Sequence, residues 1–94
     1  RMPEMSRCDL SEQVEKAVRF VKIDRETFPQ QGAHKVTLHT EISAHPKVIM
    51  DPLQVGRVII NLLRNAAQAM RGQSEPPIIT IRVKVEHMQE LKFR

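Results

Sequence analysis

Ninety-four residues suffice for one small domain but not for two. Hydrophobic residues make up 40% and charged residues 28% of the chain, which excludes global disorder, and no apolar run approaches the length of a membrane span. The formal net charge of +4 is spread along the chain and the aromatics are only Phe20, Phe28 and Phe93, so the basic-plus-aromatic pattern of a nucleic-acid binder is absent.

Residues 1–7 carry no periodicity and read as a leader or linker. Arg1 ahead of Met2 reads as a piece of a longer chain, and the N-terminus lacks the apolar core of a signal peptide. Cys8 is the single cysteine; it has no internal disulfide partner, which fits a reducing, cytoplasmic setting. Asp9 stands three residues before Glu12, a capping-box spacing. Leu10, Val14, Ala17, Val18 and Val21 then fall on one helical face, predicting a helix over about 10–23. Pro29 and Gly32 mark a loop. Residues 35–42 alternate, with Val36, Leu38 and Ile42 on one side and Lys35, Thr37, His39 and Glu41 on the other, as in a strand with one wet face. Pro46 breaks the chain before a short strand over 47–50.

Asp51-Pro52 is a helix start, because Asp caps free N–H groups and Pro is tolerated in the first turn. This helix extends to about Arg71 and stops at Gly72. A loop leads to Ile79, Ile81, Val83 and Val85, which face inward against outward Thr80, Arg82, Lys84 and Glu86. His87 to Gln89 turn the chain, and Glu90 begins another strand. Each clear strand has one polar face, so helices cover one side of the sheet. The expected architecture is a two-layer α/β sandwich of the α+β kind, its sheet mixed and mostly antiparallel. Element order alone also fits a ferredoxin-like fold.

The second helix carries the candidate chemistry. Leu53, Val58, Ile59, Leu62, Leu63, Ala66 and Met70 supply its apolar side; Gln54, Arg57, Asn61, Arg64, Asn65, Gln68 and Arg71 form a polar stripe. Asn61 and Asn65 share a face one turn apart. Asn is a poor interior helix former, roughly half a kcal/mol worse than Ala. Spacing alone favours a merely solvated pair. The other reading aims the carboxamide oxygens at a hard cation such as Mg²⁺ or its waters. The four histidines (His34, His39, His45 and His87) are scattered without zinc spacing and read as surface residues.

Asp51-Pro52-Leu53-Gln54-Val55 followed by Asn61-Leu62-Leu63-Arg64-Asn65-Ala66-Ala67-Gln68-Ala69-Met70 resembles the N-box of the ATP-binding domain of sensor histidine kinases. That domain shares the Bergerat ATPase fold with gyrase, MutL-type repair proteins and the large heat-shock chaperones. Cys8-Asp9-Leu10 ahead of the first helix, and the strand after Pro77, resemble the family's flanks, so the likeness spans 8–94. It implies Mg²⁺ coordination by Asn65, with Asn61, Arg64 and Gln68 near the ATP phosphates. Asn61 stands where ATP-hydrolysing relatives carry a general-base Glu; an amide takes no proton from water, so phosphoryl transfer is implied rather than rapid hydrolysis. The implied partners are ATP, a histidine-containing dimerisation domain and a response regulator, with no nucleic acid. The family's Asp-x-Gly-x-Gly segment, lid and phosphoacceptor histidine are not in these residues, so an incomplete domain, inactive alone and prone to self-association through an exposed sheet edge, is expected. The alternatives are a ferredoxin-like binding module for RNA or protein and, within the ATPase fold, an anti-sigma-factor kinase.

Overall fold

A computed structural model describes residues 2–86. The order is β1 (Ser6–Asp9), α1 (Leu10–Val21), β2 (Thr37–Ile42), β3 (Lys47–Met50), α2 (Pro52–Ala69) and β4 (Ile78–Val83). The α+β class expected from the sequence is observed. The strands form two separate two-stranded ladders. β1 pairs antiparallel with β3, setting Cys8 opposite Val48; β2 pairs parallel with β4, setting Thr40 opposite Ile81. The strand expected from Glu90 lies outside the described residues.

Both helices begin where their caps predict. The Glu12 N–H donates to Asp9 Oδ1 at 3.1 Å. The reciprocal half of the capping box is not formed, because the Glu12 carboxylate reaches Lys16 at 3.2 Å instead. Burial pushes the Asp9 carboxyl up, but the Glu12 N–H, the His45 ring at 3.0 Å and the Lys47 charge together leave it below the usual 3.8. Asp51 is buried and starts α2: its side chain accepts from the N–H of Leu53 and of Glu4, each at 3.1 Å. α2 ends at Ala69, two residues before the expected Arg71, and Gly72 has φ +85°, a left-handed turn that glycine adopts without strain. α1 likewise stops at Val21.

One core cluster joins the helices to the β2–β4 ladder: Val14, Val18 and Val21 from α1, Leu63 and Ala67 from α2, Ile79 and Val83 from β4, with Val36 and Phe28. Phe28 is fully buried. Its segment is tied by the Phe28 N–H to the Asp24 carbonyl at 2.9 Å, and by the Val36 N–H to the Pro29 carbonyl at 2.8 Å. Sequence periodicity gave no reason to place Phe28 in the core, since it lies between elements. On β4, Ile79, Ile81 and Val83 point inward as expected, whereas Val85 lies past the strand and is exposed. Thr80 and Arg82 face out beside exposed His39 and Glu41, so this ladder does carry its helices on one face.

Candidate functional site

α2 holds its outer face in place by burying the opposite one. Leu63 and Ala67 are buried, and Ile59, Ile60, Ala66 and Met70 pack partly against the core. A residue turns the helix by about 100°, so Asn61 and Asn65 lie opposite Leu63, at the centre of the solvent face. Both are exposed, as is Gln68 one turn further on. The structure therefore brings Asn61, Asn65 and Gln68 together on one stripe. Neither asparagine carboxamide hydrogen-bonds to another described residue, so their oxygens and N–H groups are open to a ligand.

Arg64 lies on the flank of this stripe and is half-buried. Its Nε stands 3.9 Å from Asp24 Oδ2, a pairing between helix and loop that sequence spacing does not signal. The Thr27 backbone N–H, then the Thr27 hydroxyl, hold the Asp24 carboxyl below its usual 3.8; burial opposes them and the Arg64 charge adds to them.

Leu53, Val58 and Leu62, on the apolar side of α2 by their side-chain character, are 46%, 57% and 63% exposed. The helical period explains it: positions 58, 61, 62 and 65 follow i, i+3, i+4, i+7 and share a face. The asparagine pair is thus bordered by exposed apolar Val58 and Leu62 on one side and by Arg57 and Arg64 on the other. Leu62 also lines a groove of about 310 Å³ with Ile59, Ile79 and Ile81, between α2 and β4. Two further cavities, about 420 Å³ beside the C-terminal end of α2 and about 590 Å³ between α1 and α2, take no wall from Asn61 or Asn65.

The described residues contain no group of three or more His, Cys, Asp or Glu able to hold a metal ion. The donor set near the stripe is a single kind, the neutral amide oxygen. Amide oxygens suit a hard cation such as Mg²⁺, which keeps most of its waters, and do not suit zinc. Of the described histidines, His39 faces Glu41 at 3.5 Å and His45 pairs with Asp9, both on the surface; His34 is exposed, and His87 lies outside the described residues. No helix of the described residues is long and apolar enough to cross a membrane.

No family model matches this chain, and no curated protein matches it. Among solved structures, the cytoplasmic segment of histidine kinase QseC is similar, with a TM-score of 0.65 and 17% sequence identity. The match covers 86% of this chain and 48% of that one, so the chain spans about half the length of the structure it matches. At this identity the likeness is one of fold.

Proposed function

We propose that this chain contributes the Mg²⁺-side wall of an ATP site in a histidine kinase. The observation that carries the reading is the Asn61–Asn65 pair, placed one turn apart at the centre of the open face of α2. The fold likeness to a histidine kinase cytoplasmic segment supports it. Asn65 would hold a Mg²⁺ ion through its carboxamide oxygen Oδ1, a hard neutral donor of the kind that ion takes. The ion, when bound, would supply positive charge against the negative charge of the transferring phosphoryl group. Asn61, one turn closer to the helix start, donates N–H groups to a phosphate oxygen, and Gln68 does so from the other end of the stripe. Arg64, tethered to Asp24, adds positive charge at the flank without leaving the helix. None of these groups takes a proton from water at neutral pH, so the wall favours transfer to an incoming nucleophile over hydrolysis. The ATP and the acceptor histidine of a dimerisation domain complete the reaction, and a response regulator receives the phosphoryl group.

Titration with ATP carrying paramagnetic Mn²⁺ tests the assignment without needing turnover. Side-chain amide signals of Asn61, Asn65 and Gln68 should broaden first, and Asn65→Ala should reduce broadening along the whole stripe. Broadening confined to other surfaces, or unchanged by Asn65→Ala, overturns the site.

A further inference from the structure

The 590 Å³ groove between α1 and α2 shares no lining residue with the asparagine pair. Its lining is largely apolar, with Ala17 and Phe20 from α1 and Leu53 and Ile60 from α2. Phe20 is 54% exposed there, although it is one of only three aromatics in the chain. Among the described residues its charged lining is Lys16 and Arg57, with no carboxylate. Lys16 shares its charge with Glu12, while Arg57 makes no ion pair or hydrogen bond with the described residues.

Gly56 adds an independent observation. It sits inside α2, where glycine is the worst residue short of proline, and it lines the groove. A Cβ built there would meet nothing within 4 Å, so the packing of the described residues does not require glycine at this position. A bare backbone facing an open groove lets another backbone approach closely. Ala17 across the groove is the next smallest side chain. Small residues at the floor, large apolar residues at its margins and cations at the rim are the negative image of a helix with an apolar stripe bordered by carboxylates.

We propose that the α1–α2 groove docks an amphipathic helix of a partner protein that carries Asp or Glu beside its apolar stripe. Leu-type side chains of that helix seat between Phe20 and Leu53, its backbone passes over Gly56, and its carboxylates meet Arg57 and Lys16. Arg57 borders both this groove and the asparagine stripe, but the groove takes no wall from Asn61, Asn65 or Gln68, so peptide binding and the ATP–Mn²⁺ titration test the two readings separately.

The probe is a labelled helical peptide of about 15 residues, with Leu at i, i+3, i+4 and i+7 spacing and Glu on both flanks. Two controls carry Lys in place of Glu, or the same residues scrambled. Anisotropy with the 94-residue chain should show the Glu peptide binding about tenfold or more tighter than either control, and weakening with salt. Gly56→Leu fills the groove and should cut binding about tenfold while the melting temperature holds or rises, and Arg57→Glu should switch preference to the Lys peptide. Equal binding of the three peptides, or a Gly56→Leu variant that binds as before, overturns the proposal. Two other results overturn it as well: binding only to vesicles of an anionic phospholipid, and self-association that Gly56→Leu abolishes without any peptide binding. The first makes the groove a membrane contact and the second a contact between copies.

Discussion

Asn65 is where the proposed chemistry and the helix make different demands. In the middle of α2, Ala is the better helix former, so Asn65→Ala should leave stability unchanged or raise it by a few tenths of a kcal/mol. On the proposed reading, the same change in a longer chain that carries the whole ATP site removes a Mg²⁺ ligand, and autophosphorylation should fall by about 10²-fold or more, the usual scale for losing one preorganised electrostatic contact. Leu63→Ala is the contrasting control: Leu63 is 3% exposed within the core cluster, so its loss should cost about 2–5 kcal/mol through the cavity left behind. Melting temperature and phosphorylation measured on both variants separate the roles, and an active Asn65→Ala kinase would sink the assignment. The polar stripe was legible in the sequence because helical spacing alone puts positions 61, 65 and 68 together. Two neighbours were not legible. Apolar character puts Val58 and Leu62 on the side away from the polar stripe, yet helical spacing sets them beside the asparagines. The Arg64–Asp24 contact joins residues that no local period relates.

At the scale of elements, the two helix starts are the most sequence-determined features of the chain. Each follows from an Asp whose short carboxylate reaches N–H groups that the first turn leaves without partners. Asp51 is buried and binds two N–H groups, so Asp51→Ala should cost about 1–2 kcal/mol, toward the upper end of the range for caps, read by denaturant unfolding. Asp9 gives a pH signature. Its folded carboxyl ionises below the usual 3.8, so its stabilising effect is complete above that value and disappears as the pH falls through the lower, folded one. Asp9→Asn keeps a capping oxygen but does not titrate. Wild type should therefore be the more stable of the two at about pH 6, with the difference shrinking as acid is added below about pH 4. A difference that grows in acid would contradict the ion-pair account of Asp9 with His45 and Lys47. The last turns were less legible: α1 and α2 both stop two residues before the expected end, because helix termini depend on tertiary contacts more than on local pattern.

At the scale of the whole molecule, strand alternation revealed which residues face inward but not which strands pair. Pairing is a long-range choice, and nothing local distinguishes one mixed sheet from an antiparallel β1–β3 ladder beside a parallel β2–β4 ladder. Phe28 was hidden for a related reason, since its burial depends on a loop closing over the core. These arrangements bear on stability. A two-stranded ladder is marginal unless packed, and only β2–β4 lies within the shared core. Among the described residues β4 pairs with β2 alone, and Leu62 (63% exposed) and Ile78 (66% exposed) remain in solvent beside it. Unpaired strand edges next to apolar surface drive chains together. The 94-residue chain should therefore unfold with a free energy at or below the lower end of the usual 5–15 kcal/mol range. Its apparent mass by light scattering should rise with concentration. Ile78→Lys places a charge at the start of the β4 edge, on a side chain already in water, so it should lower association while changing stability by no more than about 0.5 kcal/mol. A wild-type chain that stays monodisperse as a monomer and melts sharply at high temperature would show instead that the β4 edge and the Leu62 groove are closed in solution.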